Sequence, residues 1–263
     1  MAEAVRKIEQ RIKVSDMVIE VRDARIPLTS ECARIQELLA RKRRVIVLNK
    51  QDLILPSERE KWRKFFTDKG DTVTFTQAVH GANIKELMPS ELHARGLISR
   101  LDRTLLCMIV GIPNTGKSTL INTLRNFGYK DGKQKSPGKV ANTGALPGVT
   151  KHVSTIQFHV KPPSFLVDTP GIVKMDLDVI DGLKLALTGA IKDSLIDPLI
   201  LAEFLIHMLS MRQSTNYLTE LSLPTDCTDL GEILTAVAKF LIANYRSGKL
   251  CKYTLDNTVP ESI

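Results

Sequence analysis

Gly111-Ile-Pro-Asn-Thr-Gly116-Lys117-Ser118 fits the pattern GxxxxGK[ST] and directly follows the apolar run Leu105-Leu-Cys-Met-Ile-Val110. A run that is apolar at every position reads as a central strand buried on both faces. Leu120-Ile-Asn-Thr-Leu124 then begins a helix, so the strand, loop and helix that this motif requires occur in order. Glycines let backbone N–H groups close around phosphate oxygens. In that arrangement Thr115, Gly116 and Thr119 wrap the phosphates. Lys117 brings a point charge to the β- and γ-phosphates, and Ser118 offers its hydroxyl to Mg²⁺.

Short β-rich runs lie on both sides of this unit and alternate with helical stretches, the signature of an α/β fold. Strands are expected at 17–21, 45–48, 72–75, 105–110, 154–159 and 164–167. Ala4, Ile8 and Ile12 set an amphipathic helix at the start of the chain. A polar turn at Asp23-Ala-Arg-Ile-Pro27 precedes a helix carrying Cys32, Ile35, Leu38 and Leu39 on one face. A helix over 57–69 opens on the capping box Ser57-Glu-Arg-Glu60, and one over 83–101 is interrupted by Pro89. Beyond Lys174 the pattern is helical to the end, dividing the chain into a sheet domain, 1–175, and an all-helical C-terminal domain, 176–263. There Ala202, Leu205, Ile206 and Leu209 form one core stripe, and Leu234, Val237, Phe240 and Leu241 another. Lys239, Arg246, Lys249 and Lys252 are left for a basic face.

The 263 residues carry 37 Lys+Arg against 29 Asp+Glu, a net charge of +8 that points to a polyanionic partner such as nucleic acid. With 43% hydrophobic and 25% charged residues, the chain is neither disordered nor collagen-like. Its longest apolar run, 105–110, is too short to span a bilayer. Four scattered cysteines without a CxxC pair argue against a zinc site or disulfide framework and for a reducing compartment. Aromatic residues at 5% argue against a base-stacking platform. The first residues lack the apolar core of a secretory signal, and their acidic members fit poorly with a transit peptide.

Three further strand ends carry polar motifs. Asp168-Thr-Pro-Gly171 fits DxxG, in which the aspartate orients Mg²⁺ through water and the glycine N–H faces the γ-phosphate. Asn49-Lys50-Gln51-Asp52 fits NKxD, in which the Asp52 carboxylate accepts from N1–H and the 2-amino group of guanine. Adenine has neither donor there, so the carboxylate selects against ATP. After the third strand, the Ala78 N–H is placed to read guanine O6, and Gly148-Val-Thr150 supplies a threonine for Mg²⁺. Each of these alone is an ordinary solvated turn. Together at the carboxyl ends of parallel strands they form one guanine-nucleotide site.

The order of the motifs is permuted. NKxD at 49–52 precedes the phosphate loop at 111–118, and DxxG follows at 168–171. Numbered by their usual roles, the strands run 4-5-6-1-2-3, a circular permutation that leaves the sheet itself unchanged. The segment after Gly171 then leads into the helical domain, so a γ-phosphate-dependent movement at Gly171 pulls directly on it.

With this order the sequence resembles the circularly permuted YlqF/RbgA GTPases of large-ribosomal-subunit assembly, including their mitochondrial members. Asp23-Ala-Arg-Ile-Pro-Leu28, Asn49-Lys-Gln-Asp52, the phosphate loop, Leu146-Pro-Gly-Val-Thr150, Asp168-Thr-Pro-Gly171 and Gly182-Leu-Lys-Leu-Ala-Leu-Thr-Gly-Ala-Ile-Lys192 carry the resemblance. It implies a P-loop GTPase that monitors or assists late assembly of the large subunit, with Mg²⁺ and rRNA, ribosomal proteins and other assembly factors as partners. It places Asn49, Lys50, Asp52, Ala78, Asn114, Thr115, Gly116, Lys117, Ser118, Thr119 and Gly171 on GTP, and Ser118, Thr150 and Asp168 on Mg²⁺. Lys117, Thr150 and Gly171 assist the γ-phosphate, and Asn114 matches the asparagine that holds K⁺ in potassium-dependent relatives. The expected setting is the mitochondrion, in the matrix or peripherally on the matrix face of the inner membrane; the alternative is the bacterial cytoplasm. The chain is expected to be monomeric off the ribosome.

Two departures qualify the activity. Ile172 follows DxxG where many GTPases place a water-positioning glutamine. The Gly-His-Met segment that supplies a histidine in relatives has no match, and none of His80, His93, His152, His159 and His207 stands in its place. Three alternatives stay open: a missing first stretch, activation by the ribosome, or a nucleotide-gated rRNA-binding scaffold with little turnover. A P-loop enzyme using ATP is the remaining rival. Basic residues of the 125–139 loop, expected to be the first switch, and of Arg41-Lys-Arg-Arg44 are candidates for RNA contact.

Overall fold

In a computed structural model, residues 11–32, 36–39, 42–131, 154–169, 177–211 and 230–258 are described. Six strands form one sheet: β1 (Met17–Asp23), β2 (Arg44–Asn49), β3 (Val73–Thr76), β4 (Leu105–Val110), β5 (Ser154–His159) and β6 (Ser164–Asp168). Their spatial order is β3-β2-β1-β4-β6-β5. All neighbours are parallel except β5, which runs antiparallel to β6. By role this is 6-5-4-1-3-2, so the permuted chain rebuilds an unpermuted sheet. The wholly apolar β4 lies between β1 and β6, as its composition requires.

Alternation along the central strands divides the core. Met17, Ile19 and Val21 of β1, with Cys107 and Ile109 of β4, face α3 (Pro89–Ala94) and α4 (Lys117–Asp131), burying Leu92, Leu120, Ile121 and Leu124. Val18, Met108, Val110 and Val167 point the other way and share a cluster with α5 (Val179–Leu187), α6 (Pro198–Met211) and α7 (Leu230–Ser247). A third cluster joins Ile46, Leu48 and Phe75 to Trp62 and Phe66 of α2 (Pro56–Asp68). The short α1 (Gln36–Leu39) precedes β2. Among the described residues no helix is long and apolar enough to cross a membrane.

Several local expectations change. The capping box at Ser57 does not form: Pro56 takes the first helical position, Leu55 becomes the N-cap, and no side chain caps the end. Pro89 starts α3 after the 3₁₀ turn Ile84–Leu87 and does not interrupt one long helix. The basic stretch from Arg125 is helical as far as Asp131, and Arg125 is buried; residues 132–139 lie outside the described residues, as do 1–10 of the expected first helix and 33–35 of the expected helix after the 23–27 turn. In α7 the buried stripe is Ala238, Leu241, Ile242 and Tyr245, while Leu234 and Phe240 are exposed, a phase shift from the expected face. Arg246 is no part of an open basic face. It donates to the Ala186 and Leu187 carbonyls and pairs with Asp193, capping the end of α5.

Gly128 shows how tightly α4 meets the sheet. A Cβ there would collide with the Phe158 carbonyl of β5. Alanine improves helix propensity by about 1 kcal/mol, but backbone cannot step aside cheaply. G128A is therefore expected to destabilise the protein by about 1–3 kcal/mol, read as a lower urea midpoint; an unchanged or higher midpoint contradicts the packing.

Candidate functional site

The carboxyl ends of β1, β2, β3, β4 and β6 converge, bringing Asp23, Asn49, Thr76, Gly111 and Asp168 to one end of the sheet. Asn49 ties three of these ends together. Its Nδ2 donates to the Thr115 carbonyl at 2.8 Å, inside the phosphate loop. Its Oδ1 accepts from Thr76 Oγ1 at 3.1 Å and from the Ala78 N–H at 3.0 Å. Ala78 is thus brought to the site, but its N–H is directed at Asn49 and not outward as the sequence reading had it. Gly116, at φ +94°, lies against the Asn49 amide, and a Cβ there would strike Nδ2. A side chain at 116 would break the tie. Thr123 Oγ1 donates to the Ala78 carbonyl at 2.7 Å, fixing the same turn to α4.

Lys50 adopts a left-handed conformation, φ 63°, and its Nζ donates to Asp23 Oδ2 at 2.8 Å. Arg25 grips the same carboxylate through its backbone N–H, Nε and Nη2, at 3.0, 3.0 and 2.8 Å. Burial alone would raise the Asp23 carboxyl, but Arg25 and Lys50 hold it well below the usual carboxylate range. Burial wins at Lys50, whose ammonium titrates below an ordinary lysine despite Asp23. Asp52 sits in the 3₁₀ turn Gln51–Leu53, half-buried, with no hydrogen bond or ion pair among the described residues. Its carboxylate is available to a ligand.

In the phosphate loop, Lys117 Nζ donates to the Ile112 carbonyl at 2.7 Å, and Thr115 Oγ1 reaches the same oxygen at 3.0 Å. Burial pushes the Lys117 ammonium down to about 8, with Asp168 among the groups opposing the shift. Asp168 ends β6 almost completely buried, and burial raises its carboxyl against the pull of Lys117 and the Thr169 N–H. Its Oδ1 is buried without a hydrogen-bond partner among the described residues. A carboxylate oxygen left so is costly unless something else binds it. Together with the half-buried Ser118 at the start of α4, this is a donor set that suits a hydrated divalent cation. Thr119 is half-buried on the same first turn. Asn114, at φ 59°, donates through Nδ2 to the Gly189 carbonyl at 2.5 Å, joining the loop to the end of α5. Thr150 and Gly171 lie outside the described residues.

The sequence reading passed over the charges buried beneath this site. The expected polar turn at 23–27 is a turn, yet Asp23 and Arg25 are each only 2% exposed. Within β1, Glu20 is fully buried and accepts from Arg22 Nε at 3.0 Å and Arg44 Nη1 at 3.2 Å. The available signal was Glu20 and Arg22 two residues apart, on one face of a strand whose other residues before Asp23 are apolar.

A family described as 50S ribosome-binding GTPase matches residues 106–226. Mitochondrial ribosome-associated GTPase 1 of Bos taurus is 35% identical over 90% of this chain and 72% of its own length. The Arabidopsis thaliana protein Short integuments 2, mitochondrial, is 39% identical over 81% of this chain, which spans 55% of that relative. The crystal structure of GNP-bound YlqF from T. maritima superposes with a TM-score of 0.65 over 99% of this chain and 100% of that one, at 24% identity, a likeness of fold. The chain belongs to the family of circularly permuted YlqF/RbgA-type GTPases that includes mitochondrial ribosome-associated GTPase 1.

Proposed function

We propose that this chain binds GTP across the carboxyl ends of its parallel strands, hydrolyses it, and couples the cycle to late assembly of the large mitochondrial ribosomal subunit. The observation that carries this reading is the Asn49 tie. It joins NKxD, the phosphate loop and the Ala78 turn into one site although the chain presents them out of order. Asp52 reads N1–H and the 2-amino group of guanine, Lys50 lies along the nucleotide, and Ala78 fixes Asn49 at the base edge. Thr115, Gly116, Lys117 and Thr119 hold the phosphates, with Gly171 at the γ-phosphate. Ser118, Thr150 and Asp168 hold Mg²⁺, which neutralises charge developing on the phosphates. Asn114, whose Nδ2 donates to the Gly189 carbonyl, is the residue assigned to K⁺. The GTPase unit is residues 1–175, and the helical part, 176–263, together with Lys130 and the basic residues that follow it to 139, faces rRNA and ribosomal proteins. The names of the relatives favour the mitochondrion, with the matrix or the matrix face of the inner membrane as the working place.

Activation of water is assigned to the ribosomal particle. Phosphate release is expected to be slow for the chain alone and to rise at least about tenfold with large-subunit particles in KCl, and less in NaCl. GTP binding without any such stimulation would instead identify a nucleotide-gated scaffold.

Base selection rests on Asp52. D52N is expected to weaken GTP binding about a hundredfold and to leave ATP equally weak. Xanthosine nucleotides should gain, because their 2-oxo group accepts from the new amide. Unchanged selectivity in a competition titration would remove Asp52 from the site.

Lys117 gives the pH dependence. Phosphate binding favours the charged ammonium, so a nucleotide raises this pKa and takes up a proton. Affinity should be flat below about pH 7 and fall as pH rises through about 8. GDP titrated in EDTA is expected to bind about three- to fourfold more weakly at about pH 8.5 than at about pH 7, with about half a proton taken up near pH 8. Calorimetry in buffers of different ionisation enthalpy measures that uptake; none at all would contradict the assignment.

A further inference from the structure

Parallel strands put their amino ends together at the end of the sheet away from the nucleotide residues. There Lys42 and Arg43, just before β2, meet Arg100 and Arg103, just before β4. With Asp16 they line a cavity of about 260 Å³ floored by the buried side chains of Leu97, Ile98 and Leu105. The four cations come from segments far apart in sequence, so the cluster is made by the fold.

Acidic groups neutralise them only in part, with two carboxylates facing four cations. Asp16 spends one oxygen on the Leu106 N–H at 2.8 Å and lies 3.7 Å from Arg103 with the other. Asp102 stands 3.7 Å from Arg100. The Arg100 and Arg103 side chains remain 66% and 59% exposed. Arg43 is exposed and has no carboxylate partner among the described residues. Lys42 Nζ donates to the Lys13 and Ser15 carbonyls, both at 2.8 Å, which anchors the ammonium without cancelling its charge. Arg44, next in the basic run, turns away to Glu20 and Asp71 and is structural.

We propose that this cleft is an RNA-binding site that grips the phosphodiester backbone. The identification of RNA rests on the ribosomal reading above; the site itself does not. Guanidinium groups suit phosphate oxygens. The cleft is concave, its apolar lining is buried and no aromatic ring lines it. That suits a rod of phosphates better than stacked bases or a flat lipid surface. β1 spans seven residues, so the cleft lies about 20 Å from the nucleotide. Both anions therefore bind together.

The test uses the full chain and a fluorescent single-stranded RNA of about 20 nucleotides, titrated across a KCl series. R43A/R100A/R103A is compared with K61A/K64A/K85A, which removes the same charge from exposed positions elsewhere. The cleft variant is expected to bind about tenfold or more weakly, with a salt slope shallower by about two, while the control stays near the wild type. R100E/R103E, altering only exposed side chains, should act in the same direction. GDP binding reports folding and tests the GTPase reading separately: wild type that binds RNA but no guanine nucleotide sinks that reading and leaves the cleft standing. Wild type that binds no RNA, or cleft and control variants that bind RNA alike, overturns the cleft. So does a cleft variant that loses only binding to phosphatidylserine vesicles.

Discussion

Asp23 is a carboxylate removed from water at the end of the central strand β1, and that burial organises the site end of the molecule. An isolated buried carboxylate is prohibitively expensive, so it must be paired. One partner is Lys50 of the guanine motif; the other is Arg25, which reaches into the helical half. There Arg25 donates to the Thr188 carbonyl at 3.2 Å and lies 5.5 Å from the Tyr245 ring centroid of α7. Its own carbonyl accepts the Leu255 N–H at 2.6 Å. Neither cation can relax independently of the other. A buried ion cluster of this kind adds little net stability over an apolar equivalent, but breaking it by halves is costly, so it enforces one arrangement.

The same end of the sheet is stitched by the last residues described. Asp256, nearly buried, accepts from the Leu28 and Thr29 N–H groups at 2.7 and 2.8 Å and from Lys184 Nζ at 3.0 Å. Thr254 Oγ1 donates to Glu58 at 2.6 Å, and the Leu55 N–H to the Lys252 carbonyl at 3.1 Å. Gly248 packs against Leu53, one residue past Asp52. Permutation moved the chain ends, yet the guanine loop did not become a loose terminus. The segment after α7 braces it.

Motifs were legible in the sequence because they combine fixed spacing with residues whose chemistry leaves little choice. Gly116 and Lys117 are required by backbone room and charge, and β4 announces itself by being apolar throughout. The sheet order followed from motif order, since each motif must end a strand. What escaped depends on partners distant in sequence. Asp23 and Arg25 look like an ordinary polar turn until Lys50, Thr188 and Tyr245 surround them. Pro56 displaced the capping box because local preference for the first helical position outweighed a side-chain cap. Leu234 and Phe240 fit the helical period of α7, and the period does not reveal which neighbouring phase α6 will cover.

These contacts also decide where motion can be transmitted. A lever needs a held end, and α5 has one. Its carboxyl end is fixed by Arg246 on the Ala186 and Leu187 carbonyls, Arg25 on Thr188 and Asn114 on Gly189. These anchors come from α7, from the turn after β1 and from the phosphate loop itself. Its amino end is capped by Asp178 and touched by Thr29 through Asp181, and it joins the 170–176 segment that carries Gly171. Asp178 and Val179 are exposed, whereas Leu185, Ala186 and Leu187 are buried. Burial thus rises along one helix, from its exposed first turn to the carboxyl end that Asn114 ties to the phosphate loop. The phosphate loop and α7 therefore hold the same short stretch of backbone, Ala186 to Gly189, so neither can shift there without loading a hydrogen bond made by the other.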